Sequence, residues 1–351
     1  MQTPRERILT ALSHRQPEQI PFSWGFSSTG EMGAVLQQHY AKRDIHWPTL
    51  RAETDDIRRL SPKPCEPPTH NIWGIQTQRT DYGTGSYNEF CDFPLAGVTD
   101  AAQLDAYPWP DPAIYDDAGY PELVGKANPE HKRAVMLAGG NPFEIYCWLT
   151  GLEEAMMNLV LAPTAVHRAL DHITTFFEER LNRALPAAAS LVDLVFLADD
   201  LGSQTGLLMS REMYRAFLQP HHRRLAEAIH RLAPHVKTVF HSDGAVFDAI
   251  PDLIEAGVDV LEAVQTDAAG MDPARLKREF GQDLCFHGGI SVQQLLPRAD
   301  PATVEHECRR LAEILGNNGG YIPAPSHAIQ IGTPPENVDA MLRALGRAEG
   351  K

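Results

Sequence analysis

Along the C-terminal half of the chain, short apolar runs recur at a regular interval, and each stops on a polar residue with chemistry of its own. Five runs carry the pattern: 194–200 (Leu-Val-Phe-Leu-Ala-Asp-Asp), 238–244 (Thr-Val-Phe-His-Ser-Asp-Gly), 258–264 (Val-Asp-Val-Leu-Glu-Ala-Val), 284–290 (Leu-Cys-Phe-His-Gly-Gly-Ile) and 319–327 (Gly-Gly-Tyr-Ile-Pro-Ala-Pro-Ser-His). A short β-rich run followed by a polar group and then a helical stretch is the signature of a buried parallel strand in a βα unit. Repeated units of this kind close into a barrel whose chemistry lies at the C-terminal ends of its strands. The polar residues therefore converge on one mouth. Three weaker runs, 20–24, 57–60 and 135–139, bring the total to eight. The expected fold is α/β, a (β/α)8 TIM barrel.

Between the runs the period changes to that of helices. Apolar positions three and four apart predict helix over 151–185, 211–232, 272–280, 302–315 and 335–345. At the N-terminus Thr3 reads as an N-cap, Pro4 as the first helical residue and Glu6 as the capping-box partner, with Ile8, Leu9 and Leu12 on one face. Residues 25–130 are different in texture, rich in Pro, Gly and aromatics, and 61–130 has little helical period. Such a region reads as an irregular insertion over the barrel mouth. The whole of 1–351 is then one domain, since a barrel of about 250 residues enlarged by insertions takes up this length.

Composition removes several function classes. Hydrophobic residues make up 43% and charged residues 22%, values of an ordinary globular chain with a large core. A formal net charge of −15, with no Lys/Arg stripe to offset it, argues against nucleic acid and anionic membrane surfaces as partners. A small-molecule substrate is the remaining expectation. Five scattered cysteines without a CxxC pair indicate neither a disulfide framework nor a zinc ribbon, and a reducing cytoplasm fits them. No run approaches the roughly 18 apolar residues of a membrane span.

The candidate chemistry sits at the strand ends. His241 and Asp243 are two residues apart, so an extended backbone aims both at the mouth, where they can bind a divalent metal or exchange a proton. Asp243 also has a second role open to it, as a helix cap within Asp-Gly. His327 follows a stretch too proline-rich to continue as a strand, which sets its imidazole just past the last strand. His287 precedes Gly288 and Gly289, which allow a close turn or a close ligand. Glu262 and Gln265 end the neighbouring run, and Asp199 with Asp200 forms a like-charge pair in which one pKa can rise toward a general-acid role. Trp24, Phe26 and Tyr82, from the irregular region, are candidates for either core or a substrate platform.

These residues lie in motifs that resemble the uroporphyrinogen decarboxylase superfamily over nearly the whole length. The motifs include Tyr107-Pro-Trp-Pro-Asp-Pro112, Asp199-Asp-Leu-Gly-Ser-Gln-Thr-Gly206, Phe240-His-Ser-Asp-Gly244, Phe286-His-Gly-Gly-Ile290 and Pro325-Ser-His-Ala-Ile-Gln330. The resemblance implies a barrel and one of two chemistries. Tetrapyrrole decarboxylases of this superfamily hold substrate carboxylates with an arginine-bearing segment near the N-terminus, together with an aspartate facing the pyrrole nitrogens. Here that segment reads Phe22-Ser-Trp-Gly-Phe-Ser-Ser-Thr-Gly30, without arginine, and Asp55 or Asp56 would stand in for the aspartate. The other branch comprises zinc methyltransferases that move a methyl group between a corrinoid and a thiol, with metal ligands in a His-x-Cys motif and at a distant Cys.

By motif, His241, Asp243 and His327 occupy those three ligand positions, a harder set that still suits Zn2+. The resemblance thus implies a metal-assisted methyltransferase with Asp200 or Glu262 as base, a corrinoid as methyl carrier or substrate, and a corrinoid protein as partner. A homodimer is compatible with it. A decarboxylase acting on a tetrapyrrole or another carboxylated ring is the alternative, and a non-catalytic partner of a corrinoid protein is the third reading.

Overall fold

The computed structural model describes residues 1–66, 71–81, 83 and 86–347. Among these residues nine strands are formed: β1 (Ile57–Arg59), β2 (Gln76–Asp81), β3 (Ser86–Asp92), β4 (Ala134–Gly140), β5 (Leu194–Ala198), β6 (Lys237–His241), β7 (Val260–Ala263), β8 (Cys285–Ile290) and β9 (Tyr321–Pro325). Seven of them make one parallel sheet in the order β1-β4-β5-β6-β7-β8-β9, while β2 and β3 form a separate antiparallel hairpin. Residues 20–24, expected as a strand, carry no ladder of their own. They nonetheless fill the eighth place. Ser23 N–H donates to Pro323 O at 3.1 Å and Asp56 N–H to Phe22 O at 2.9 Å, so extended chain bridges β9 to β1 and the curled sheet becomes TIM-like.

The last strand runs through the prolines that seemed to end it. Pro323 and Pro325 lie within β9, because Pro323 turns its backbone toward 20–24 whereas the N–H of Ser326 points the other way, to Ile290 O of β8. The missing N–H groups thus fall on the sparsely bonded side, where a proline costs no rung of the β8 ladder.

Period-two alternation stacks the barrel interior in layers. Ile57, Met136, Leu194, Val239, Val260, Cys285 and Ile322 form a buried apolar cluster, and Ile8 and Leu12 of the N-terminal helix Pro4–Leu12 plug it from below. That helix has the expected capping box between Thr3 and Glu6. Two residues further along the same strands, on the same face, come Arg59, Phe196, His241, Glu262 and His287. The chemistry therefore sits one layer above an apolar floor.

Below that floor, Asp56 precedes β1 and is wholly buried among cations. Arg7 and Arg347 each reach it at 2.7 Å, and the N–H of Phe22 donates to it at 3.1 Å. Asp55 lies at the same end, accepting from Ile57 N–H at 3.0 Å. Neither aspartate faces the mouth, which withdraws them from the role that a decarboxylase would need. Burial pushes the Asp55 carboxyl up to about 6.

Two long helices predicted as single pieces are each broken. Residues 151–185 form Leu152–Leu161 and Pro163–Ala188, and residues 211–232 form Arg211–Phe217 and Gln219–Leu232. Pro163 and Pro220 stand in the first turn of the second piece, where a missing N–H costs nothing, and the chain re-aims before them. The region 25–130 is also more ordered than its composition suggests. It holds the helices Gly30–Ala41, Trp47–Thr54, Ala101–Asp105 and Tyr120–Ala127 besides the β2–β3 hairpin. Thr29 caps the first of these through Met32 N–H, and Met32, Leu36 and Tyr40 bury one face of it. No helix among the described residues is long and apolar enough to cross a membrane.

Candidate functional site

The mouth is organised around His241, at the C-terminal end of β6. Its Nδ1 meets Glu262 Oε2 at 2.8 Å, which leaves Nε2 facing two further carboxylates, Asp200 Oδ1 and Asp243 Oδ1, each at 3.8 Å. One ligand atom from each of Asp200, His241 and Asp243 lies within 4.8 Å of the other two. Asp243 Oδ1 is buried with no hydrogen-bond partner. A buried carboxylate oxygen left unpartnered costs desolvation energy unless something cationic meets it. The backbone fixes this grouping: Asp243 N–H donates to Asp200 Oδ1 at 2.8 Å, tying the loop after β6 to the loop after β5.

Those loops touch through glycine. Gly244 has φ +85°, and a Cβ on it would stand 2.5 Å from the carbonyl carbon of Gly202. Only a residue without a side chain permits that approach in that conformation. Gln265 seals the same loop by accepting from Gly244 N–H at 2.9 Å.

Glu262 is the electrostatic hub. Burial opposes its charge, yet His241, Arg59 and His287 hold its carboxyl down to about 2. Arg59 Nη2 lies 3.4 Å from Glu262 Oε1, and His287 Nδ1 lies 4.0 Å from the same oxygen. The effect on His241 is the reverse. Its burial disfavours the imidazolium, but the Glu262 carboxylate outweighs that and, with Asp243 and Asp200, lifts it to about 9. Asp243 is raised, by burial above all. His287 is wholly enclosed and pushed down to about 4 by burial, so it is neutral, with neither ring nitrogen hydrogen-bonded.

The wall above this layer is aromatic. Phe26 stacks on His327 with ring centroids 4.9 Å apart and meets the edge of His241 at 5.0 Å. Arg59 lies over both Phe26 and Phe196, 4.7 Å from each ring centroid. His327 faces His241 across 6.3 Å between centroids and stands outside the trio formed by Asp200, His241 and Asp243. Asp200 is the nearer third donor.

Asp199 turns away from Asp200 and into the protein. It accepts from Glu144 N–H and from His222 Nε2, both at 2.7 Å, and so caps the helix Pro142–Thr150. Burial drives Asp199 well above the usual carboxylate range and pushes His222 down to about 3. Trp24 is placed in the core, its indole N–H donating to Thr54 Oγ1 at 2.9 Å between Phe22 and Trp47. Tyr82 lies outside the described residues. Beside Asp200 opens a cavity of about 460 Å³, bounded by the β2–β3 hairpin and the helix Pro142–Thr150.

Sequence reasoning missed Arg59, Phe196 and Glu144. The first two carried a readable signal, since each sits two residues beyond an apolar lumen position on its strand. Glu144 carried none, because its place depends on how the helix Pro142–Thr150 docks against Asp199.

The donor set suits a divalent cation. One imidazole whose far nitrogen is held by a carboxylate, with two further carboxylates beside it, offers three donors of types that can bind a divalent cation.

Fold and mouth together define a TIM-like (β/α)8 barrel that gathers carboxylates and imidazoles at the C-terminal ends of its strands. Residues 99–347 match the model of a family described as uroporphyrinogen decarboxylase (URO-D). The chain belongs to that family. Among curated proteins it is 27% identical over 241 residues to a methylated-thiol–coenzyme M methyltransferase of Methanosarcina mazei, covering 67% of this chain and 60% of the relative. It is 23% identical over 215 residues to a uroporphyrinogen decarboxylase of Pelobacter propionicus, covering 60% of this chain and 58% of that one. The chain thus spans about 60% of the length of these relatives. A solved methyltransferase from Methanosarcina mazei superposes over 99% of both chains with a TM-score of 0.68 at 18% identity, a likeness of fold.

Proposed function

We propose that this chain is a metal-assisted methyltransferase that moves a methyl group to or from a corrinoid or a small methylated compound. The observation that carries the reading is the trio Asp200, His241 and Asp243, in which the buried Asp243 Oδ1 has no hydrogen-bond partner. These three would hold a divalent ion, Zn2+ being the expectation carried from the family. When bound, such an ion lowers the pKa of a thiol or hydroxyl and makes it a nucleophile at neutral pH.

The chain's own residues supply the rest. Glu262 accepts a hydrogen bond from His241 Nδ1–H and orients the ring with Nε2 toward the carboxylates, where a bound metal would take the place of the Nε2 proton. Arg59 balances the Glu262 charge so that it does not capture the site's cation for itself. His327, stacked on Phe26 across the mouth, is assigned as a further donor or as the group that gives or takes a proton on the substrate side. His287 and Gln265 line the layer beneath and beside it. The partner is proposed to be a corrinoid protein delivering or receiving the methyl group.

The family resemblance alone leaves decarboxylation open, but the residues do not favour it. Asp56 is held between Arg7 and Arg347 beneath the floor, and Arg59, the arginine in the lumen layer, is paired with Glu262. A polyanionic substrate would lack the arginine clamps that carboxylates require. The test is methyl transfer from methylcobalamin to a panel of thiols and alcohols, before and after chelation. Turnover that stops with chelator and returns with Zn2+ is expected; full turnover by metal-free protein would overturn the reading.

A further inference from the structure

The cavity of about 460 Å³ beside Asp200 has two faces of different chemistry. One is apolar: Phe90 of β3 stacks on Trp148 at 5.2 Å, and Phe143, Leu152 and Leu208 continue the surface. Leu152 and Leu208 are 58% and 38% exposed, so they form an open apolar rim rather than core. The other face is acidic, with Glu89 from the hairpin and Glu144 and Asp200 from the barrel side. No lysine or arginine is among the described residues that line the cavity.

We propose that this cavity binds the organic substrate, and that it takes an aromatic-sized compound that is uncharged or cationic while turning carboxylates and sulfonates away. The inference rests on Asp200 belonging to the reaction centre, as proposed above, because that residue is shared between trio and cavity. Size supports it: a cavity of about 150 Å³ already accommodates benzene, so roughly three times that volume takes one substituted ring with room for a methyl-bearing group. Charge supports it equally. A ligand carboxylate or sulfonate lying along the Glu89 and Glu144 side would face acidic side chains, with no lysine or arginine on the described cavity wall to neutralise it. The aromatic pair Phe90–Trp148 offers a π face, which favours planar rings and cations together. The hydroxyl, amine or ether of such a ligand is then directed at the acidic face, where Asp200 meets the trio.

Three probes of one shape separate these demands: benzyl alcohol, benzylamine and benzoate, titrated by calorimetry into the full-length protein. The alcohol and the amine are expected to bind one per chain with dissociation constants of about a millimolar or tighter, and benzoate at least about tenfold more weakly. Leu208→Trp, a substitution at the exposed rim, should abolish binding by filling the opening without touching the core. Protein treated with chelator to remove metal should bind benzyl alcohol within about twofold of untreated protein, which separates failure of the pocket from failure of the metal reading. Benzoate binding as tightly as the alcohol, none of the three binding at millimolar concentration, or Leu208→Trp leaving affinity unchanged would each overturn the proposal.

Discussion

Replacing Asp56 by Asn tests whether the aspartate before β1 is a structural anion or a catalytic one. Its two carboxylate oxygens receive Arg7 and Arg347 at 2.7 Å each, and all three side chains are nearly inaccessible, at 0%, 9% and 7%. Removing the charge strands two buried guanidinium groups. Breaking a buried ion pair from one side costs about 3–5 kcal/mol, because the remaining charge is left uncompensated. For a chain of 351 residues, with an unfolding entropy of about 2 cal/mol/K per residue, that is a fall in Tm of roughly 4–7 °C. Calorimetry of parent and Asp56→Asn reads it directly, alongside turnover measured well below both transitions. The expected result is the lower Tm with turnover per folded molecule preserved. An unchanged Tm with turnover lost would refute the structural assignment and return Asp56 to the chemistry.

Other consequences follow from the same geometry. Arg59→Met, which keeps the stem over Phe26 and Phe196 but removes the charge, should weaken metal binding by about tenfold or more, the scale of outer-layer losses at metal sites; a zinc-competition titration with a chelator measures it. The His241–Glu262 pair sets a pH dependence whose sign is fixed. His241 is lifted from 6.5 to about 9, so its contribution is complete below pH 6.5 and is lost as pH rises toward 9; Glu262 is lowered from 4.5 to about 2, so its contribution is present above pH 4.5 and is lost as pH falls toward 2. Denaturant unfolding of parent and Glu262→Gln should therefore differ most between about pH 4.5 and 6.5 and least near pH 9, and a difference that grows toward pH 9 would contradict the pairing. Gly244→Ala places a Cβ against the Gly202 backbone at φ +85° and should lower stability by at least about 1–3 kcal/mol, read as a reduced denaturant midpoint.

Much of the barrel was legible because burial and period coincide on its later strands. The runs ending in Asp199, His241, Glu262 and His287 are mostly apolar on both faces until the mouth, Thr238 and Asp259 at their starts excepted, and a parallel strand covered on both sides reads that way. The stave at 20–24 was visible as a run but not as extended chain without a ladder, since its bonds go singly to Pro323 and Asp56 on either side. The helix Gly30–Ala41 lies within the region expected to be irregular; Thr29, Met32, Leu36 and Tyr40 spell its cap and face, but the glycines and aromatics around it mask that period. In the site, motif position brought His241, Asp243 and His327 together, whereas the folded loops seat Asp200 against the first two and leave His327 on the aromatic side. That distinction depends on the hydrogen bond between Asp243 N–H and Asp200 and on the Gly202–Gly244 contact, neither of which has a sequence period. Arg59 was within reach, as the lumen-facing residue two beyond Ile57.

The central claim is that Asp200, His241 and Asp243 hold a divalent metal. Elemental analysis of purified protein after equilibration with Zn2+ and exhaustive desalting tests it most directly, with His241→Ala and Asp243→Ala carried through the same procedure. The account predicts one metal per chain in the parent and almost none in either variant, with each protein handled well below its own unfolding transition. A parent that retains no metal, or variants that retain as much as the parent, would contradict it.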